Sequence, residues 1–199
     1  MTPLQIERIQ KKIAKIKREL AADKKRHGGY YDDSRGLRYL PPGLYLKLSD
    51  YKSAMRYFRW FAKNFDDDSG YPTFLFEWCI TLYKNGKISE AENLVLITFF
   101  SNTYLLDAFL GKEISQRDIE EQSNWQGVEM LEDFPYSHNN SELSDFATWL
   151  NRYIQSDKFQ HFSNEFLAIK QKLSDAPAGI SRSEMVESLA SIIDMFMLR

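Results

Sequence analysis

The sequence predicts an all-α protein, and three observations carry that prediction. Across 199 residues there are only 9 Gly and 6 Pro, and the long stretches between them hold helix-forming residues. Apolar residues recur three and four apart rather than in alternation. Rings are abundant, with 14 Phe and 11 Tyr bringing the aromatic fraction to 15%, which suits the gaps between packed helices. The apolar fraction of 43% argues against wholesale disorder. The length is enough for a real core, and residues 1–199 read as one helical domain.

Thr2-Pro3-Leu4-Gln5 begins the first helix. Thr2 can cap it, Pro3 suits the first turn, and Gln5 can reach back to complete a capping box. Ile6, Ile9, Ile13, Ile16 and Leu20 then form one stripe, with Lys11, Lys12, Lys15, Lys17 and Arg18 over much of the rest. The stripe spans about two heptads, short of the three or four that define a coiled coil. Gly28-Gly29 ends a basic amphipathic helix over residues 1–28. It can pack on the body of the protein or pair with a second copy.

Residues 36–103 carry an internal repeat. Setting Ala54 on Ala91 matches Ser49-Asp50-Tyr51-Lys52-Ser53-Ala54 to Gly86-Lys87-Ile88-Ser89-Glu90-Ala91. The same offset pairs Tyr45 with Leu82 and Phe58 with Val95. Ala54 and Ala91 let a neighbouring helix approach, and Phe58, Phe61 and Phe65, like Leu94 and Val95, lie at helical spacing beside them. Ser89 with Glu92 makes a capping box for the second copy. This pattern resembles the tetratricopeptide repeat: a large apolar residue in a first helix, a short turn, then an alanine at a close crossing. The resemblance covers about 70 residues in two degenerate copies, about 37 apart where 34 is usual. It implies a short α-solenoid of antiparallel helix hairpins. The copies depart from the pattern at Pro41-Pro42-Gly43, which shortens the first helix to a start near Pro42. Asp66 and Thr103 stand near the positions of the usual closing proline.

Residues 104–199 supply further helices that cap the repeats, as the ends of a solenoid require. One helix runs over 103–111 to Gly111, and Ser115 with Asp118 caps another reaching Leu131. Phe134-Pro135-Tyr136-Ser137-His138-Asn139-Asn140 reads as a loop. Three stripes follow: Leu143, Phe146, Leu150 and Tyr153; Phe159, Phe162, Phe166, Ile169 and Leu173; Met185, Leu189, Ile192 and Phe196. Ser181 with Glu184 caps the last of them.

The formal net charge of −2 hides an asymmetry. Residues 1–63 hold 16 Lys and Arg against 6 Asp and Glu, and residues 64–199 hold 10 against 22. The halves can attract each other, or the basic end can meet an anionic partner. The single cysteine, Cys79, can form no internal disulfide, and no Cys/His set has zinc-ligand spacing. No apolar run approaches a membrane span, and the amino terminus lacks a signal-peptide core. A cytoplasmic location without membrane attachment is the simplest expectation.

Candidate sites are few. Asp66-Asp67-Asp68-Ser69-Gly70 clusters carboxylates before a glycine, with Glu77 at the twelfth position, but Pro72, Phe74 and Leu75 interrupt any calcium loop. A solvated turn is the better reading. His27 lies near Asp32 and Asp33, an acid–base or metal grouping that exposed loop polarity explains equally well. Gly28-Gly29-Tyr30-Tyr31, beside Arg35 and Arg38, can stack bases or serve as a hinge. Cys79 falls at a small-residue packing position. We therefore expect no enzyme, no cofactor and no metal centre.

The tetratricopeptide resemblance implies a groove lined by first helices, here by Tyr39, Leu46, Phe76, Ile80, Tyr83 and Lys84. Its aromatic floor and basic edge suit a peptide with apolar anchors, and the equal alternative is that the carboxy-terminal helices cover these rings. The two-carboxylate clamp of chaperone-binding members needs Lys, Asn and Arg where Tyr39, Gly43 and Glu77 stand, so that use is excluded. The expected function is non-enzymatic binding of a protein or peptide, through this groove or the first helix. The alternative is a nucleic-acid-associated protein using the basic amino-terminal third.

Overall fold

The first turn forms as its residue types require. Thr2 Oγ1 accepts from the Gln5 amide at 3.3 Å, and Gln5 Oε1 accepts from the Thr2 amide at 2.8 Å, so both halves of the capping box are present. These contacts come from a computed structural model, which describes residues 1–119, 121 and 123–197. The described residues form α-helices and short 3-10 turns, with no strand among them. They divide into two compact units, Met1–Gly70 and Tyr71–Arg199. The division falls between the two copies of the sequence repeat.

In the first unit α1 (Pro3–Arg26) leads through a loop and a 3-10 turn (Leu37–Tyr39) into α2 (Leu40–Lys47) and α3 (Tyr51–Asn64). Pro41 and Pro42 sit in the first turn of α2, where a missing N–H costs nothing. Only Ile13, Ile16, Leu20 and Asp23 of α1 are buried. At about 1.5 Å per residue α1 is some three times longer than α2, and its amino-terminal half extends beyond that cover.

The second unit holds α4 (Pro72–Lys84), α5 (Ile88–Ser101), α6 (Leu105–Phe109), α7 (Ser144–Tyr153), α8 (Asp157–Asp175) and α9 (Ile180–Asp194). Two 3-10 turns, Val128–Leu131 and Ser141–Leu143, lie between α6 and α7. α4 and α5 form the central hairpin. α8 packs on α5 through Phe100 and Phe166, stacked at 4.6 Å, and α7 packs on α4. No described helix is long and apolar enough to cross a membrane.

The sequence repeat is also a backbone repeat. Ser49 and Gly86, aligned by the offset, both take left-handed angles, φ 53° and 72°. Ser49 N donates to Leu46 O and Gly86 N to Tyr83 O, each at 2.9 Å. Asp50 N donates to Tyr45 O and Lys87 N to Leu82 O, again at matched positions. Each turn leads into a helix of 14 residues whose alanine, Ala54 or Ala91, is fully buried.

Three expected details differ. Residues 112–119 take no helix. Arg117 is instead tied back to the residues just before α6 by bonds between side chain and backbone, its amide donating to the Tyr104 hydroxyl and its guanidinium to Thr103 O at 2.7 Å. Asn102 Nδ2 fixes the same stretch further on, donating to Trp125 O and Gly127 O. Side-chain bonds to backbone have replaced the helical ladder there. Glu120 and Gln122 of the expected helix lie outside the described residues. The other two differences are caps: Lys87 and Gly179, not Ser89 and Ser181, occupy the positions before α5 and α9, because each glycine-containing turn delivers the chain into the helix early.

Candidate functional site

The first unit is organised by a partly buried ionic hub. Asp33 Oδ1 and Oδ2 accept from the amides of Leu37 and Arg38, both at 2.9 Å, and so start the 3-10 turn. The Arg38 guanidinium bridges Asp33 Oδ2 at 3.1 Å and Asp68 Oδ2 at 2.6 Å. The Tyr39 hydroxyl donates to the same Asp68 carboxylate, and the Gly70 amide donates to it at 2.9 Å. Burial disfavours the charged form of Asp68, yet the Tyr39 hydroxyl, the Gly70 amide and Arg38 together hold its carboxyl below the usual value. Burial and Asp68 push the Tyr39 hydroxyl up to about 12. Asp33 and Asp68 are thus anchors of the loop fold. Asp68 answers for the Asp66–Asp68 cluster as a turn device.

His27 and Asp32 do approach a third carboxylate, one that spacing did not single out. Asp23, Asp32 and His27 bring ligand atoms within 4.8 Å of one another. Asp23 Oδ2 accepts from the amides of Asp32 and Asp33 at 2.9 and 3.2 Å. Its Oδ1 lies 3.2 Å from His27 Nδ1 and 3.5 Å from the Arg26 guanidinium. Both oxygens are engaged, and a guanidinium already supplies the positive charge. The arrangement ties the loop back to the end of α1.

The six groove positions have different fates. Tyr39 is held in the hub, its ring under the Arg38 guanidinium at 4.4 Å, and Leu46 is buried. Phe76 and Ile80 on α4 have 0% exposure. The Phe76 ring lies 4.9 Å from Phe109, 5.3 Å from Phe134, 5.8 Å from Tyr136 and 5.6 Å from Phe146. Tyr83 packs on Phe146 and on Trp149 at 4.8 Å, and its hydroxyl donates to Asp145 O. Lys84 Nζ donates to Glu142 O at 2.7 Å and pairs with Asp145 Oδ1 at 2.5 Å. Within the second unit this face of α4 is therefore filled by α7 and the loop before it, and Phe76 and Ile80 offer no surface. Cys79 packs on α5 with Sγ 3.3 Å from Thr98 Oγ1, and burial pushes its thiol up to about 12.

Two features of the first unit remain open. One is the amino-terminal half of α1, where Ile6 and Ile9 continue the buried stripe but stay half-exposed. The other is a cavity of about 560 Å³ between α1 and α3. Lys17, Leu20 and Ala21 line it from α1, Tyr31 from the loop, Tyr45 from α2, and Ser53, Arg56, Tyr57 and Trp60 from α3. Sequence reading followed the Phe58, Phe61 and Phe65 stripe and passed over this second face of α3. The signal was present, since positions 53, 56, 57 and 60 share one helical face.

Comparison with protein-family models, with curated proteins and with solved structures finds no match.

Proposed function

We propose that the chain is a non-enzymatic interaction module, built on two degenerate tetratricopeptide-like hairpins and acting through the amino-terminal half of α1. The partner is a protein segment with apolar anchors and acidic flanks. The observation that carries the reading is the uneven cover of one stripe. Ile13, Ile16 and Leu20 are buried, while Ile6 and Ile9 on the same face are not. Lys12 and Lys17 flank that stripe, so a helix laid along it meets an apolar seam with positive edges.

The repeat reading is supported by the matched turns at Ser49 and Gly86 and by the buried alanines that follow them. The α4 face is filled within the second unit, whereas Ile6 and Ile9 of α1 stay half-exposed. A second copy is the weaker occupant on charge, because α1 holds 9 Lys and Arg against 3 Asp and Glu and would repel itself. Nucleic acid is less well served, since acidic residues are interspersed on the helix and pair with its bases, as Glu7 does with Lys11 and Glu19 with Lys15. We place this activity in the cytoplasm.

Affinity capture from native extract at about 0.15 M salt tests the reading, comparing the full chain with Ile6→Ser/Ile9→Ser. Both positions are half-exposed, so the variant should melt with the parent. The expected result is loss of an acidic protein partner from the variant. Retention of every partner sinks the proposal, and capture abolished by nuclease transfers it to nucleic acid.

A further inference from the structure

We propose that the cavity between α1 and α3 is a binding site for a small molecule that joins a flat aromatic ring to an anionic group, about the size of a mononucleotide. The volume of about 560 Å³ lies within the roughly 300–1,000 Å³ that small-molecule sites occupy. The lining divides by chemistry. One wall is aromatic and nearly continuous, with Tyr45 6.3 Å from Tyr57, Tyr57 5.0 Å from Trp60, and Trp60 edge-on to Tyr31 at 5.6 Å. A planar ligand can stack on such a wall whatever its heteroatoms, because the attraction is to the ring face.

The polar groups select the rest of the ligand. Lys17 enters from α1 and Arg56 from α3, and no Asp or Glu is among the described residues lining the cavity. Among the described residues Lys17 has no ion pair, and Arg56 donates only to Ser53 Oγ, at 2.7 Å. Two cations facing a shared space from opposite helices suit one anion better than a neutral molecule. Tyr45 is buried as a residue and its hydroxyl makes no hydrogen bond to a described residue, whereas the Tyr57 hydroxyl is spent on Arg38 O at 2.8 Å. Burial raises the Tyr45 hydroxyl above its ordinary value, so it stays protonated and can donate into the cavity. The site is held in shape at one end by Lys24, which donates to Asn64 Oδ1 at 3.1 Å and lies over the Tyr31 ring at 4.8 Å. That bridge ties α1 to α3 across the cavity's edge and limits the reordering a ligand would require.

Phosphate and carboxylate can both supply the anion, and the test separates them. Calorimetric titration and tryptophan emission are followed for the full chain with AMP, indole-3-acetate, adenosine and inorganic phosphate. At least one of the first two is expected to saturate below about 1 mM. Adenosine and phosphate alone should each bind about tenfold or more weakly than the anionic ring compound, since each lacks half of the recognition. Binding of AMP alone identifies a phosphate site, and of indole-3-acetate alone a carboxylate site. The variant Lys17→Gln/Arg56→Gln changes two exposed side chains and should melt with the parent. It should lose about tenfold in affinity for the anionic ring probe while leaving adenosine unchanged. Trp60→Leu should weaken both. The proposal is overturned if neither AMP nor indole-3-acetate saturates below about 1 mM, if adenosine or phosphate binds as tightly as the anionic ring probe that does, or if the double variant binds that probe as the parent does.

Discussion

The two hairpins share a turn and differ in everything the turn does not fix. In both, four backbone hydrogen bonds around Ser49 and Gly86 match at the same offset. The aligned side chains then part company. Tyr39 sits in an ionic hub with Arg38 and Asp68, while Phe76, its counterpart, is walled in by Phe109, Phe134, Tyr136 and Phe146. The turn and its alanine are local requirements, met by residues a few positions apart. The fate of an outward ring depends on what other chain arrives to cover it. In the second unit the stretch after Leu105 supplies rings. In the first, a loop rich in Asp and Arg supplies charge, and a cavity is left beside it. A repeat therefore specifies a backbone without specifying a surface.

The largest expected effect lies in the apolar half of this comparison. Phe76→Ala removes a fully buried ring that contacts four others, and losses of about 3–5 kcal/mol are usual for such a change. Urea unfolding followed by tryptophan emission, to which Trp149 contributes from 5.5 Å beside Phe146, measures it. A cost below about 1 kcal/mol would mean that the cluster around Phe76 is not packed as described, and would reopen the α4 face as a groove.

Much of this division was legible in the sequence, and the remainder was not for a physical reason. Helix type and the ends at Gly28 and Gly111 follow from local preference. So does the 37-residue offset, which rests on Ala54, Ala91 and the turn before each. That later helices could cover Phe76 was one of two readings, but which rings do so was not legible, because Phe109, Phe134 and Phe146 are distant in sequence and their stripes show only that they pack somewhere. The hub was hidden in the same way. Asp33 and Asp68 look like solvated loop polarity until Arg38 is seen between them. Asp23, 9 residues before Asp32, was absorbed into the helix pattern although it caps the loop that follows. The cavity needed a second face on α3, and a search for one stripe per helix overlooks it.

The polar half should respond to acid, and more weakly to mutation. Asp68 has its carboxyl held below the usual value in the folded chain, against the opposing effect of its burial. A depressed folded value means that the stabilisation is present above the unfolded carboxylate value of about 4 and is lost as pH falls through the folded one. Stability of the parent should therefore drop below about pH 4 with a contribution that Asp68→Asn lacks. At neutral pH the variant should cost about 2 kcal/mol, because the one asparagine oxygen can still accept from Tyr39 and Gly70 but its NH2 group cannot accept from Arg38, which is left with one carboxylate instead of two. Parallel acid melts of parent and Asp68→Asn, read through circular dichroism and tryptophan emission, decide the matter. Identical acid slopes would remove the hub from the account of the first unit.

The smallest effect tests the shared turn itself. Ser49 and Gly86 hold the same place, yet only one of them is a glycine, and both have positive φ. A side chain in the left-handed region is strained by about 1 kcal/mol, and glycine is not. Gly86 has open space where a Cβ would go, so Gly86→Ser should cost about 1 kcal/mol through backbone strain alone, without a steric clash. Ser49→Gly relieves the same strain but gives the unfolded chain more freedom, so its gain should be smaller, about 0.5 kcal/mol. Opposite signs in denaturant melts of the two variants would establish that the turns are one structural solution used twice. If Ser49→Gly destabilises, the serine side chain is contributing something at its own position, and the two hairpins are alike in trace only.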